Sequence, residues 1–351
     1  MKAGRVIRVG IIGAGFAGRL HAEAYKRCPG VELVAIADKD KNASNALRAQ
    51  YDIQHVYTDY NELLKREDID LVSVCVPTFL HKDVVIAAAH HGKHVVCEKP
   101  LAVTVADAEC MISVAQAERI RLMYAENWIF APALRRAVAI CREGAIGEVL
   151  FIRAKEAHSG SHSIYAKKLC YCGGGAMMHL GIHPIGFGLS FFEGEVLRVW
   201  CVTSRGSEQN VLHHDVEGED WGIGVIEFPG PRICQVEANY LTHGGIDDVV
   251  EFYGTEGVIK VNFSHGSPLR VFSRVGVQYT VEKADVKTGW SFPAVDEFRS
   301  LGYEDEIAHF VSCVRGEAEL EKGMRAEDGL RALVVLQKMY ESAQKGTIIE
   351  R

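Results

Sequence analysis

No run of apolar residues in this chain approaches the ~18 needed to cross a bilayer as a helix, so no membrane span is expected. Basic charge is not in excess either. Lys and Arg number 39 against 46 Asp and Glu, a formal net charge of −7, which argues against nucleic acid as a main partner. The ten cysteines follow no framework of spacings, and Met1-Lys2-Ala3-Gly4-Arg5 runs into the first apolar stretch without a secretory h-region. Both absences point to reduced thiols in a cytoplasm. The one close pair, Cys170-Tyr171-Cys172, reads as incidental. There is no G-x-S-x-G elbow, which disfavours a Ser-His-Asp hydrolase, and no internal repeat or low-complexity tract. What remains is globular, with 48% hydrophobic and 24% charged residues, and at 351 residues too long for one ordinary core.

The chain opens on an apolar run from Arg5 that feeds Gly13-Ala14-Gly15-Phe16-Ala17-Gly18 and then a helical stretch through Tyr25. This G-x-G-x-x-G turn between strand and helix lets backbone N–H groups approach a pyrophosphate. Asp38 ends the next apolar run, about twenty residues after Gly18, where a carboxylate accepts hydrogen bonds from an adenosine ribose. Gly13, Gly15, Phe16, Ala17, Gly18 and Asp38 are therefore candidate dinucleotide contacts. Asp38 favours NAD over NADP, and Lys39 beside it leaves NADP open.

The first third alternates short apolar runs (Val31–Asp38, Leu71–Val76, His94–Cys97) with helical stretches at Tyr60–Arg66 and Lys82–His91, the first capped by Thr58 or Asp59. Asn127 to Pro132 reads as the exit, and Ala133–Glu143 as a crossover helix ended by Gly144. Strand-like runs then follow at Glu148–Glu156, Val196–Ser204, Trp221–Phe228, Ile233–Tyr240, Val249–Tyr253, Val258–Asn262 and Leu269–Ser273. One helix interrupts them at Gly175–Phe191, and helices return at Tyr303–Val314 and Ala326–Gln344. The expected fold is α/β: a Rossmann domain over 1–126 and an α+β domain over 127–351 with a large, mostly antiparallel open sheet. The late helices are candidates to pack back on the first domain. An open sheet has a face to cover, so a homodimer or homotetramer through that sheet is expected.

Lys99 stands between Glu98 and Pro100 at a strand end, on the edge where open α/β sheets place their ligand crevice. Pro100 biases Lys99 to an extended backbone, which aims its side chain. Glu98-Lys99-Pro100, together with Gly173-Gly174-Gly175-Ala176-Met177-Met178-His179-Leu180-Gly181-Ile182-His183, resembles the Gfo/Idh/MocA family, named for glucose–fructose oxidoreductase, inositol dehydrogenase and a rhizopine-catabolism protein. Val76-Pro77-Thr78 with His81, Gly92-Lys93-His94 and Tyr253-Gly254-Thr255-Glu256-Gly257 extend the resemblance over nearly the whole chain. It implies hydride transfer between NAD(P) and a secondary alcohol or ketone of a sugar, glycoside or cyclitol. His183 occupies the family's catalytic-histidine position, and imidazole suits proton transfer near neutrality. Lys99 occupies the family's lysine position, suited to hold developing alkoxide character or relay the proton. Pro77, Thr78, His81, Glu98, Lys99 and Asn127 are expected on the cofactor side. Lys99, Asn127, His158, His162, His179 and His183 are expected on the substrate side, with His179 also a catalytic candidate.

One departure matters. Many relatives carry an acid four residues before the histidine, where this chain has His179, and the position three after it, often acidic, is Gly186. If the stretch is helical, His179 and His183 share a face, and Glu156, His158 and His162 lie upstream. This opens an alternative with a divalent transition metal on Glu156, His158, His179 and His183, giving a 3-keto-glycoside lyase or hydrolase. A non-catalytic NAD-binding regulatory protein is the third reading. Blander expectations attach to His90-His91 and His213-His214 as surface pairs, and to Glu304 and Glu306 as favourable charges at a helix start. Trp128, Trp200, Trp221 and Trp290 suit a core as well as a sugar platform.

Overall fold

The computed structural model describes residues 5–161, 163–264, 271–273, 289–291 and 296–350. They divide into two compact units. One takes the chain up to Asn127 together with Gly302–Leu330; the other takes Trp128–Leu301 together with the chain from Arg331.

The first unit alternates strand and helix: β1 (Ile7–Ile12), α1 (Phe16–Arg27), β2 (Val31–Ala37), α2 (Lys41–Tyr51), β3 (His55–Tyr57), α3 (Tyr60–Leu64), β4 (Leu71–Val74), α4 (His81–His90), β5 (His94–Cys97), α5 (Val105–Ala117) and β6 (Leu122–Tyr124). The six strands form a parallel sheet in the order β3-β2-β1-β4-β5-β6. The order reverses between β1 and β4, and the cleft for a dinucleotide lies outside the strand ends at such a reversal. Strands buried on both faces read as unbroken apolar runs, which is why β1, β4 and β5 are visible in the sequence. The three-residue β3 and β6 are too short to show a pattern. Asp59 caps α3, accepting from the Asn61 N–H at 2.9 Å.

The second unit begins with α6 (Pro132–Arg142), β7 (Val149–Ala157) and three helices: α7 (Leu169–Cys172), α8 (Ala176–His179) and α9 (Ile182–Phe191). The strands β8 (Arg198–Thr203), β9 (Trp221–Phe228), β10 (Arg232–Asn239), β11 (Val249–Gly254) and β12 (Val258–Asn262) follow. A separate two-stranded ribbon pairs β13 (Val271–Ser273) with β14 (Gly289–Ser291), and the short α10 (Glu297–Ser300) comes next. The chain ends with α11 (Tyr303–Arg315), α12 (Ala326–Lys345) and β15 (Ile349–Glu350). Of these, α11 packs on α1 and β1 in the first unit, and the division between units falls inside α12.

The large sheet has seven strands in the order β12-β11-β7-β10-β9-β8-β15. All its neighbours run antiparallel except β7 and β10, which are parallel. The seventh strand is β15 from the chain end, not the Leu269–Ser273 run, whose described part forms the ribbon instead. The alternation in β9 places Gly222, Gly224, Ile226 and Phe228 inward, as a half-buried antiparallel strand requires.

The single helix expected over Gly175–Phe191 is two. α8 stops at His179 and α9 begins at Ile182. His179 and His183 therefore do not share one continuous helical face, and each is carried by its own element.

Candidate active site

At the strand ends of the first unit, Gly13 takes a positive φ of 106°. A Cβ there would stand 2.4 Å from the Cys75 carbonyl oxygen, so only glycine lets β1 leave the sheet this close to β4. At Gly15 a Cβ would meet nothing within 4 Å, and no side chain caps α1. The first N–H groups of that helix thus open onto space beside the reversal of strand order. Asp38, after β2, accepts the Ala14 N–H at 2.6 Å and the Asp40 N–H at 2.8 Å. It braces the turn and keeps lone pairs for hydroxyl donors. An uncapped helix start behind a glycine turn, with a carboxylate at the next strand end, fits a dinucleotide. Phe16, the first residue of α1, and Lys39 are exposed near the turn, and Ala17 follows in the first turn of α1.

Pro77 and Thr78 follow β4 and are half-buried. His81 departs from its expected use. It is buried, with Nδ1 at 3.0 Å from the Pro100 carbonyl and Nε2 at 2.9 Å from the Val76 carbonyl. Burial holds the imidazole below its ordinary value, and whichever nitrogen carries the single hydrogen of the neutral ring donates it to a main-chain carbonyl. Glu98 likewise turns inward. Its carboxylate accepts the Lys99 N–H at 3.0 Å and lies 3.1 Å from His21 Nε2. Burial pushes this carboxyl up, but His21, which bonds to it, and Lys99 beside it bring it below its ordinary value. Lys99 is half-buried, ahead of a cis bond to Pro100, and Asn127 is buried. Glu306 is a correction too. It is fully buried in the first turn of α11, where burial and then the charges of Glu98 and Glu126 push its carboxyl well up; the Glu126 N–H offsets only part. Desolvation outweighs the helix dipole there.

In the second unit the parallel pairing of β7 and β10 sets Glu156 opposite Ala238 and Ala157 opposite Asn239. The next residues, His158 and Tyr240, leave the sheet side by side with rings stacked 6.0 Å apart. Tyr240 is the hub of this cluster. Its hydroxyl lies 2.9 Å from His179 Nδ1, and its carbonyl oxygen 2.9 Å from His213 Nε2. Burial holds the phenol far above its usual value, so it stays neutral and can both donate and accept. His213 is thereby not a surface residue like His214. The sequence gives Tyr240 no motif; only its place at the end of an alternating strand hints at it.

His183 is buried and stacks on Trp128, with ring centroids 5.7 Å apart and planes within 10°. Its Nε2 lies 3.7 Å from Glu156 Oε2. The carboxylate missing from the His183 helix thus arrives from a strand. Trp128 in turn meets Phe263 edge-on at 5.1 Å and is buried, so it is the wall of the histidine and not a sugar platform. Trp200 is 40% exposed on the outer sheet face. The turn into α8 is held by Glu219, whose carboxylate accepts from the Gly175 N–H (3.1 Å), the Met177 N–H (2.9 Å) and the Tyr340 hydroxyl (2.8 Å). A Cβ at Gly175 would stand 1.9 Å from the Glu219 carbonyl oxygen, which explains the glycines of this motif.

The metal alternative finds no ligand set. Among the described residues no three His, Cys, Asp or Glu are placed to hold one ion. His183 faces Trp128 and Glu156, while His158 and His179, edge-on to each other with centroids 5.9 Å apart, are turned to Tyr240. His162 and the side chain of Trp290 lie outside the described residues.

Residues 7–126 match an oxidoreductase family described by its NAD-binding Rossmann fold, and residues 134–260 match the GFO/IDH/MocA C-terminal domain. The D-apiose dehydrogenase of Paraburkholderia graminis is 26% identical over 349 residues, covering 97% of this chain and 88% of its own length. The levoglucosan dehydrogenase of Pseudarthrobacter phenanthrenivorans is 29% identical over 300 residues, 76% of each chain. Among solved structures, that of GenD2 from gentamicin A biosynthesis in complex with NAD superposes with a TM-score of 0.91. It is 24% identical and covers 100% of this chain and 98% of its own, a likeness of fold.

Proposed function

From the premise that this chain belongs to the Gfo/Idh/MocA family of oxidoreductases, we propose that it is an NAD-dependent dehydrogenase of a secondary alcohol in a sugar, glycoside or cyclitol. The observation that carries the reading is the His183–Glu156 pair: a buried imidazole, clamped on Trp128, with a carboxylate 3.7 Å from its Nε2. A carboxylate in that position steadies the imidazolium formed when the ring takes a hydroxyl proton. His183 is the proton acceptor in this reading, and Lys99 holds the oxygen as alkoxide character develops. His179, His158 and Tyr240 present polar atoms suited to neighbouring hydroxyls, and the relatives that act on D-apiose and levoglucosan support a polyhydroxylated substrate. NAD, when bound, supplies the hydride acceptor. Gly13, Gly15 and the start of α1 would hold its pyrophosphate and Asp38 its ribose, with Pro77, Thr78 and Asn127 as further contacts.

The protein is further read as a homo-oligomer of cytoplasmic location. Trp200, Val202, Ile233 and Val258 are exposed large apolar side chains on strands of the seven-stranded sheet, and that exposure supports association. The ten unbridged thiols suit a reducing compartment. Light scattering of the purified chain tests the first point.

The reading is tested by identifying copurified nucleotide by mass and then screening polyols and glycosides for NADH formation. One NADH per substrate consumed, unchanged after chelation and dialysis, is the expected result. Product formed without net NADH, and restored by zinc or manganese after chelation, would replace the dehydrogenase with a metal-dependent lyase or hydrolase.

A further inference from the structure

Behind Lys99 lies a buried chain of polar groups that the proposed chemistry does not use. Glu98 has 8% of its surface exposed, and one of its oxygens accepts the Lys99 main-chain N–H at 3.0 Å. The other lies 3.1 Å from Nε2 of His21, a fully buried residue of α1. His21 Nδ1 is 3.0 Å from Ser73 Oγ in β4, and that hydroxyl is 2.8 Å from the hydroxyl of Tyr25, one turn further along α1. A carboxylate only accepts, so Nε2 carries a hydrogen. In the neutral imidazole Nδ1 then accepts from Ser73, and Ser73 accepts from Tyr25. Every donor is used once and the chain has a single direction, ending on the carboxylate that holds Lys99.

We propose that His21 is a positioning residue for Lys99, acting through Glu98: the imidazole fixes the carboxylate, and the carboxylate fixes the main chain from which Lys99 projects. The inference rests on the reading of Lys99 as a residue of the reaction. It explains why a histidine is buried with a serine and a tyrosine inside the helix–sheet packing, where apolar side chains would fill the space without desolvating polar groups. It also explains how Glu98 keeps its charge. Cys97 at the end of β5, Cys75 after β4, Tyr124 at the end of β6 and Glu306 from α11 all lie in its field. Buried carboxyls so close compete for protons, and the one with an imidazole and a main-chain N–H wins the negative charge.

The test uses the full chain with NAD and the variants His21→Leu and His21→Gln. Lysines are reductively methylated with 13C, and Lys99→Arg identifies the Lys99 resonance. His21→Leu is expected to displace that resonance and to lower kcat about tenfold or more on the polyol found by the screen. NAD affinity by calorimetry, and KM, are expected to stay within about threefold. His21→Gln, whose side-chain amide can donate from the Nε2 position, is expected to return the resonance and most of the rate. An unmoved resonance with unchanged kcat in His21→Leu overturns the proposal. So does a variant that loses NAD affinity and melting temperature along with kcat and is not rescued by glutamine, since that is a purely structural role. Retained turnover in Lys99→Ala would defeat the reading of Lys99 itself, and this inference with it. Loss of turnover there with none in His21→Leu would defeat this inference alone.

Discussion

The two units hold their polar residues by different means. In the first, buried groups form a linear chain of hydrogen bonds, Tyr25 to Ser73 to His21 to Glu98, ending on a main-chain N–H. In the second, His183 lies on Trp128 and His158 on Tyr240, and the hydrogen bonds of His179 and His213 converge on that same ring residue. A parallel sheet buried on both faces leaves polar groups only its strand ends and the adjoining helix, and there they must be satisfied by one another. A sheet with one solvated face gives its strands aromatic walls on the other. The lesson is that the first arrangement fixes atoms and the second fixes ring planes, so the two should fail differently when cut.

The largest effect is expected from the aromatic wall. Trp128→Ala should cost about 3–5 kcal/mol of stability, the range for a truncated core tryptophan, and release the plane of His183. Chemical denaturation checks the first, and kcat at saturating substrate the second; a loss under about 1 kcal/mol would show that the wall is dispensable. Next come the reacting groups. His183→Ala and Lys99→Ala should each lower kcat about a hundredfold or more, the scale of a lost general base or alkoxide partner, with NAD affinity little changed. Near-normal turnover in both would remove them from the reaction.

Smaller shifts sharpen the comparison. Asp38→Ala should cost NAD about tenfold in affinity and leave NADP unaffected, erasing the preference; calorimetry with both nucleotides decides it. Tyr240→Phe removes one hydrogen bond to His179 and keeps the ring under His158, so about 1 kcal/mol of stability should go while the fold persists. Glu306→Gln should have its clearest signature in pH. The Glu306 carboxyl is raised in the folded protein, so the folded state binds its proton more tightly than the unfolded chain. That contribution is full below the unfolded carboxylate value and is lost as pH rises through the raised one. The native protein should therefore gain melting temperature on acidification from neutrality toward about pH 5 more than the glutamine variant does. Parallel curves for the two would show that the Glu306 carboxyl does not take up the proton.

The glycine turn, Asp38 and Lys99 were legible because each belongs to a strand end written in consecutive residues. The chemistry around them was not. His81 and Glu98 have the composition of ligand contacts, yet His81 faces main-chain carbonyls and Glu98 is held between the Lys99 N–H and the His21 side chain. Glu156 stood beside His183 in the sequence only as a shared metal ligand; that it faces the imidazole as a carboxylate partner was set by the packing of α9 on β7. Tyr240 became a hub through the parallel register of β7 with β10, which sets it beside His158, and through the packing of α8 and the His213 loop onto it.

By itself, then, the sequence determined what depends on neighbours along the chain: the Rossmann alternation, the helix start left open for an anion, the carboxylate at the second strand end, and the alternating strands of the second unit. Tertiary structure alone decided which polar groups face one another. It broke the helix between His179 and His183, sent their side chains to Tyr240 and to Trp128 with Glu156, and buried Glu306 instead of leaving it to a helix dipole. The physical reason is that periodicity records which face of an element is apolar, whereas a hydrogen bond or ring contact between distant residues depends on register, and register is set only when the elements pack.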